Sequence, residues 1–197
     1  MDEEAALPRL LACLEEQTYR RFSLIACVNQ PDHWWQDPAR AGACESNLRC
    51  LEMLKSRRGF PVDVIDHCSR GKGWKGKKHG VGQARKTVMD RASDLATPGD
   101  VIVSMDADTV FGKDYLLAVA RALAGTAHFS ALAVPYFHRT PEDPAAARAI
   151  LRYEIYMRHY LLNLLRVGSP YAFTALGSAM GVPVNAYRAI GGMAPRL

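Results

Sequence analysis

The stretch DVIVSMDAD, residues 100–108, decides the fold of this chain because an apolar run ends directly in two carboxylates. Residues 100–105 predict a buried strand, since a short continuous apolar run is typical of strands covered on both faces. Asp106 and Asp108 follow, and in extended backbone side chains at positions i and i+2 point to the same side. Two such carboxylates repel each other unless a positive charge lies beside them. The strand exit is therefore a candidate site for a divalent metal.

A solvated turn is the alternative interpretation of Asp106, Ala107 and Asp108. Their position favours the metal, because in α/β sheets ligands bind outside the carboxyl ends of the strands. Mg²⁺ is commonly held by one or two carboxylates together with phosphate oxygens of a substrate, and carboxylates also suit Mn²⁺. The small Ala107 keeps the turn open. The sequence therefore indicates Mg²⁺ or Mn²⁺ together with a phosphate-bearing ligand.

Strands and helices alternate on both sides of this stretch. The hydrophobic periodicity predicts helices over residues 4–17, 44–57, 82–96, 113–124 and 145–166. It predicts strands over residues 22–28, 62–66, 100–105 and 130–134, with short candidates at 173–176 and 178–184. Because the strands are continuous apolar runs, we expect an α/β domain over residues 1–197 whose mostly parallel sheet is covered on both faces.

Two further strand exits carry polar side chains. Asn29 follows the apolar residues 22–28, and Asp66 ends the run VDVID. Because the carboxyl ends of parallel strands share one edge, we expect both residues near Asp106. Asp66 either contacts a base or ribose or caps its own strand end, and the sequence leaves both interpretations open.

Much of the formal net charge of +5 lies in a Gly- and Lys-rich loop, GKGWKGKKHG, residues 71–80. Its glycines do not fit a dinucleotide fingerprint, and Lys78 stands where a P-loop needs Ser or Thr. We predict that residues 70–79 are mobile and close over a diphosphate. A solvated loop is one alternative. Nucleic-acid binding with stacking by Trp74 is another, but it leaves the acidic strand ends unexplained.

The helix predicted over residues 82–96 follows this loop and begins with Gly82, Gln83, Ala84, Arg85 and Lys86. A helix start is positively polarised, so Arg85 and Lys86 there could hold a phosphate or a base carbonyl. Gly82 favours close packing on the sheet. An ordinary basic surface helix is the alternative.

The composition and the absence of targeting segments in the sequence indicate the cellular compartment. None of the cysteines has Cys-x-x-Cys spacing, which suits a reducing compartment. The acidic start MDEEAALP is no signal peptide, and no stretch reaches the length of an apolar membrane span. We therefore expect a cytoplasmic protein. The helix over residues 145–166, with Tyr153, Tyr156 and Tyr160, is interpreted as a core helix; contact with an acceptor or a membrane surface is the alternative.

Several segments in this order resemble family 2 glycosyltransferases of the GT-A fold, a Rossmann-like three-layer sandwich. They are LLACLEEQTYRRFSLIACVNQPD, GVGQARKTVMDRA, DVIVSMDADTVFGKDYL and FTALGSAMGVPVNAYRAIGGM. The resemblance implies an inverting hexosyltransferase that moves a sugar from a UDP- or GDP-linked donor to a hydroxyl of a glycan or lipid acceptor. It implies no nucleic acid, and it allows peripheral contact with the inner face of the membrane.

The resemblance also implies roles for single residues. Asp106 would contact the ribose or the metal, and Asp108 would bind Mg²⁺ or Mn²⁺ bridging the diphosphate. Asp66 would contact the base, with Arg85 or Lys86 near the base and phosphates. Asn29, Gly82 and Ala107 complete the expected donor site. The family often has Asp-Asp where this chain has Asn29 and Gln30, which weakens the base contact there.

The two ends of the sequence depart from the family pattern. Family members have a strand before the first helix and a catalytic acid shortly after the Gly-Gly-Met segment, and neither is visible in this sequence. We therefore expect a domain truncated at both ends that binds donor and transfers sugar slowly. A nucleotide-sugar-binding fragment without catalysis and a nucleotidylyltransferase are the alternatives, although the latter needs a Gly-rich loop after the first strand that is not seen.

Overall fold

The computed structural model describes residues 3–76, 80–124, 130–173 and 177–194. Its helices are α1 Leu7–Glu15, α2 Ala41–Lys55, α3 Val81–Leu95, α4 Tyr115–Ala124, α5 Pro144–Arg166 and α6 Val184–Ala189. Its strands are β1 Leu24–Asn29, β2 Val62–His67, β3 Val101–Met105, β4 Leu132–Ala133 and β5 Ala179–Pro183. The predicted α/β alternation is confirmed.

The largest differences from the predicted elements lie in the loops and near the C-terminus. The predicted loop at 29–43 contains two 3₁₀ turns, Asp32–Gln36 and Pro38–Arg40. The strand predicted at 178–184 ends at Pro183, and α6 begins directly after it. Proline lacks a backbone N–H and its ring fixes φ, so it fits a strand end and the entry to a helix. The candidate strand at 173–176 falls mostly on residues 174–176, outside the described residues.

The described strands form two sheets. β1 and β2 pair in parallel, with Leu24 opposite Val62. β5 lies between β3 and β4 and runs antiparallel to both. The expected mostly parallel sheet is therefore not what the described strands form. β5 begins beside the end of β3, since Ala179 lies opposite Met105, and it can only run back along β3. Apolar periodicity carries no information on that direction.

Two apolar clusters lie on opposite faces of β3. Ile102 packs with Met89 of α3 and Val182 of β5, whereas the neighbouring Val103 packs with α1, α2 and α4. Successive strand residues point to opposite faces, so helices cover both sides of this strand. Helix α3 also contacts β1 as well as β3, and it therefore bridges the two sheets.

A cavity of about 860 Å³ separates the sheets. All residues of β1 and β3 line it, together with side chains from α1, α2, α3 and α4. Among the described strands, β1 pairs only with β2, and β3 only with β5. The second edge of each strand therefore faces a largely apolar space instead of another strand.

The buried amide of Gln17 joins α1 to the segment before α4. Its Nε2 donates hydrogen bonds of 2.9 Å to the carbonyls of Cys13 and Gly112, and its Oε1 accepts one of 2.9 Å from the N–H of Leu116. The side chain is fully buried. Because a buried backbone group without a partner is costly, this single amide fixes the loop that leads from β3 to α4.

Replacing Gln17 with Met tests this role. The side chain keeps roughly its size but leaves three backbone groups without their partner, so we expect a loss of about 1–3 kcal/mol in the free energy of unfolding. Urea denaturation measures the loss. Gln36→Met, the same change at an exposed position, serves as the control and should shift the midpoint little. Equal stability of both variants would contradict the assignment.

Candidate functional site

The two carboxylates lie in a tight turn immediately after β3. The N–H of Asp106 donates to Thr109 Oγ1 at 3.2 Å, and the N–H of Thr109 donates to the carbonyl of Asp106 at 3.1 Å. Asp108 is exposed and the side chain of Asp106 is 45% exposed. The turn therefore presents both carboxylates to solvent at the exit of the strand.

Arg85 fixes one of these carboxylates. Its Nη2 donates to Asp106 Oδ1 at 2.7 Å, and its side chain is only 13% exposed. Arg85 is the fifth residue of α3, which begins at Val81. The guanidinium thus orients the Asp106 carboxylate and offsets its negative charge, as an ion pair between well-ordered groups does.

Gly177 makes room for this arginine, and the sequence pattern gave no reason to single it out. A Cβ at this position would lie 2.5 Å from Arg85 Nη1 and 2.9 Å from Arg85 Cδ. The carbonyl of Gly177 also accepts a short hydrogen bond from the hydroxyl of Ser104 on β3. Only its place just before a strand could have marked this glycine as a site of close backbone approach.

The cavity between β1 and β3 brings five of the predicted donor-site residues together. They are Asn29, Arg85, Asp106, Ala107 and Asp108. All of them lie at the ends of β1 or β3 or at the start of α3. The predicted residues Asp66, Gly82 and Lys86 do not line this cavity.

Asp66 caps the end of its own strand. Its Oδ1 accepts hydrogen bonds from the N–H groups of Cys68 and Ser69 at 3.1 and 2.9 Å, and its Oδ2 binds Lys72 Nζ at 3.0 Å. Burial raises the pKa of this carboxyl, but the hydrogen bonds from Ser69, Lys72 and Cys68 lower it more, so the pKa lies well below its usual range. The geometry favours the strand-end interpretation over the base contact.

Lys86 forms an ion pair within α3. Its Nζ binds Asp90 Oδ2 at 2.7 Å, and Asp90 Oδ1 accepts a hydrogen bond of 2.6 Å from the hydroxyl of Tyr187. Burial and this bond to Asp90 raise the pKa of Tyr187 to about 12. The pair ties α3 to α6, so Lys86 has a structural partner where we predicted a ligand contact. Gly82 is buried, in agreement with close packing.

The first part of the basic loop is attached to the end of β1. Asp32 Oδ1 accepts from the N–H groups of Gly71 and Gly73 at 2.8 and 3.2 Å, and the N–H of Trp74 donates to the carbonyl of Gln30 at 3.0 Å. A Cβ at Gly73 would lie 2.6 Å from Asp32 Cα. The expectation of motion over residues 70–79 therefore needs correction for 71–74, and residues 77–79 lie outside the described residues.

A buried amide that sequence reasoning missed supports the end of β1. Gln30 is fully buried, its Oε1 accepts from Asn47 Nδ2 at 2.8 Å, and its Nε2 donates to Cys44 Sγ at 3.2 Å. Its backbone N–H donates to the carbonyl of His67 at 3.0 Å. Gln30 therefore fixes the chain next to Asn29 and closes the β1–β2 pair.

The carboxylates fit a metal ion that takes most of its ligands from a substrate. No group of three or more His, Cys, Asp or Glu side chains that could hold a metal occurs within the described part of the chain. One oxygen of Asp106 is already bound by Arg85. Two exposed carboxylates do not form a protein cage, but they suit Mg²⁺ or Mn²⁺ completed by phosphate oxygens and water.

The structure contradicts the interpretation of α5 as a core helix. None of its side chains is buried, and its exposed apolar residues include Ile155 at 68% and Tyr156 at 64%. The core-helix interpretation is wrong because the described elements cover only one side of α5, and helical periodicity alone does not show whether a neighbouring element exists. Among the described residues, no helix combines the length and apolar character needed to cross a membrane.

Comparison with known proteins adds no relative to this description. No family model, curated protein or solved structure matches the chain.

The acid dependence of stability tests the role of Asp66. A carboxyl whose pKa is lowered by folding stabilises the protein above its unfolded pKa, and this contribution is lost as the pH falls through the folded pKa. We expect Asp66→Asn to cost about 1.5–3 kcal/mol in the free energy of unfolding at pH 7 and progressively less below about pH 4. Urea denaturation at several pH values measures the difference. Asp94→Asn is the exposed control, and an equal loss at every pH would refute the role.

Proposed function

We propose that this chain is the donor-binding part of an inverting, hexosyltransferase-type glycosyltransferase of family 2 with the GT-A fold. The observation that carries the proposal is the Arg85–Asp106 pair beside Asp108 at the exit of β3. Carboxylates at that edge of an α/β sheet suit a metal-bound diphosphate. The family assignment itself rests on the resemblance of the sequence segments.

Each side chain at this edge has a distinct task in the proposal. Arg85 orients Asp106, whose second oxygen would contact the ribose or the metal. Asp108, which is exposed, would supply the main metal contact. Asn29 at the end of β1 contacts the nucleotide from the other side of the cavity. Mg²⁺ or Mn²⁺, when bound, neutralises the charge that develops on the leaving diphosphate. The donor is a UDP- or GDP-linked sugar, and the acceptor is a hydroxyl of a glycan or lipid.

The proposal assigns no general base. Three acids lie in or just before α5, and two of them have structural partners. Asp143 caps α5 by accepting from the N–H of Ala146 at 2.6 Å. Glu154 binds both the N–H and the ring of His138 as well as Arg158. The third acid, Glu142, is exposed and far along the chain from the strand exits. A nucleotide-sugar-binding domain without catalysis is therefore the second candidate function.

Donor binding that depends on metal is the test of the proposal. We expect a UDP- or GDP-sugar to raise the melting temperature only with Mn²⁺ or Mg²⁺, because the diphosphate and the carboxylates repel each other without a cation. Asp108→Asn should remove the metal-dependent shift and leave the melting temperature without ligand nearly unchanged. Thermal-shift assays with each nucleotide sugar, with and without metal, measure this.

Asp94→Asn removes the same charge from the exposed face of α3 and is the matched control. It should keep the full metal-dependent shift. A metal response that survives in Asp108→Asn would sink the metal assignment. Donor binding without metal in both variants would favour a different nucleotide-binding mode.

We further propose that the exposed face of α5 binds a membrane surface. A lipid acceptor would be located at that surface. Arg148, Arg152 and His159 fall on one side of the helix at helical spacing, and all three are exposed. Apolar side chains flank them: Leu151, Ile155 and Leu162 on one side, Tyr153, Tyr156 and Tyr160 on the other. A helix with this pattern is typical of the interface of anionic membranes.

Vesicle binding tests this part of the proposal. We expect the chain to sediment with vesicles that contain an anionic phospholipid and not with zwitterionic vesicles, because each Arg near an anionic surface contributes roughly 1 kcal/mol. Arg152→Glu should weaken binding by about tenfold or more, since it replaces attraction with repulsion. Arg9→Glu, the same charge change on the exposed side of α1, is the control. Equal sedimentation with both vesicle types would contradict an electrostatic contact.

A further inference from the structure

We propose that the cavity between β1 and β3 is an acceptor slot for one extended, uncharged apolar polypeptide strand, which pairs with both strands and joins the two sheets into one. The proposal concerns a binding surface of the fold. It does not depend on the proposed function, because none of its steps uses the nucleotide or the metal.

The backbone edges specify what kind of ligand fits. All residues of β1 and β3 line the cavity, and among the described strands each of the two pairs along one edge only. A strand edge presents a row of N–H and C=O groups that need partners when they are removed from water. An added strand provides these partners, because its own N–H and C=O groups repeat at the same spacing, as in recognition by strand addition. A compact apolar molecule would fill the space and leave these groups without partners.

The two faces of the slot specify the side chains of the occupant. Leu24, Ala26 and Val28 of β1 pack toward the cluster of α1 and α2. Val88 and Ala92 of α3 also line the cavity and belong to the cluster on the opposite face. A strand placed between them meets apolar surface on both faces, so it needs apolar residues at successive positions and not at alternate ones.

The charged residues that line the slot lie outside β1 and β3 themselves. Arg21 and Asp100 precede the two strands, Arg85, Asp106 and Asp108 cluster at the other end, and Glu3 precedes α1. A charge in the middle of the occupant would be buried without a partner, which is strongly unfavourable. The slot therefore selects a strand that is apolar over about the length of β1 and β3, six and five residues, with polar residues permitted at its ends.

The connections fix the relative direction of the two edges that face the slot. β1 and β2 are parallel, and α3, which connects β2 to β3, contacts both β1 and β3. A strand–helix–strand connection of this kind joins parallel strands. The occupant therefore has the same direction relative to both neighbours, and one of its ends lies between Asn29 and Asp106. Filling the slot thus completes the wall of the candidate donor site.

Cys27 provides a reporter inside the slot. It is half-buried, lines the cavity and is a free thiol. Burial, with a smaller effect of the Asp66 charge, raises the pKa of Cys27 to about 12, so alkylation is slow but measurable at high pH. Cys13 is a free thiol of intermediate exposure that does not line the cavity, and it reports on general effects.

The experiment adds a synthetic peptide, Val-Ile-Val-Val-Ile with terminal lysines for solubility, to the whole chain. At a peptide concentration about ten times its Kd, occupancy should slow the alkylation of Cys27 about tenfold and leave Cys13 unchanged. Hydrogen–deuterium exchange should slow in residues 24–29 and 101–105 together. The same peptide with a central proline, which lacks one N–H and disrupts strand pairing, should give neither effect.

A variant of the slot provides the second control. Ala92→Phe places a large side chain in the cavity and should abolish protection by the peptide, whereas Ala149→Phe on the exposed side of α5 should not. Loss of protection in both variants would overturn the proposal.

Three further outcomes would also overturn it. Equal protection of Cys27 by the proline peptide would mean that the slot takes any apolar molecule. Slow exchange, without peptide and in a monomer, of those amides of residues 24–29 and 101–105 that do not pair with β2 or β5 would mean that β1 and β3 close on each other in solution. A dimer in sedimentation velocity that the peptide does not dissociate, with both strands protected, would assign the slot to a second copy of the chain.

Discussion

The ion pair between Arg85 and Asp106 is the interaction on which the candidate site depends. It joins the start of α3 to the exit of β3, and deeper in the sheet Met89 of α3 packs against Ile102 of β3. Gly177 leaves the space for the guanidinium, and Ser104 holds the backbone of Gly177 in place. The position of the Asp106 carboxylate, the charge that offsets it and the space for the Arg85 guanidinium thus depend on residues from three separate parts of the chain.

The charged side chains near the site are of two kinds: some form ion pairs within the fold, and others are exposed to solvent. Lys72 is bound by Asp66, and Lys86 is bound by Asp90, so two of the cations that seemed suited to a phosphate already neutralise a carboxylate. Asp108 is exposed beyond the Arg85–Asp106 pair. The negative charge that remains at the strand exit is therefore concentrated on one residue. A diphosphate would need a cation to approach it, which is the reason that a metal and a phosphate ligand are proposed together.

Local periodicity predicted where the helices and strands lie, because it depends on which residues are apolar and how they are spaced. It also placed Asn29, Arg85 and Asp106 at one edge, since strand exits and the helix start converge there. It could not predict partners. Whether Asp66 binds a ligand or the N–H groups of its own turn depends on backbone geometry over three residues. The direction of β5 depends on which end of β3 the chain returns to.

The burial of individual side chains also could not be predicted from the local sequence pattern. Gln17 and Gln30 are polar in sequence yet fully buried, because each satisfies backbone or amide groups from distant segments. Helix α5 is apolar in sequence yet exposed, because the described elements cover only part of it. Both cases have the same origin: the free energy of a side chain is set by its neighbours in space, and spacing along the chain identifies only those within one element.

The open edges of β1 and β3 connect the fold to the site. Asn29 ends β1 and Asp106 directly follows β3, and no described strand lies between them to set their separation. Within the described residues, helices bridge the two sheets on both faces: α3, which carries Arg85, contacts both strands on one face, and the cluster of α1, α2 and α4 packs against both on the other. A ligand that contacts both Asn29 and Asp106 must therefore hold the two sheets at one distance, and part of its binding free energy is spent on that ordering. A strand in the slot would fix the distance before the ligand arrives. We therefore expect binding at the strand exit and occupancy of the slot to be coupled through β1 and β3, and by linkage each would change the affinity of the other by the same factor.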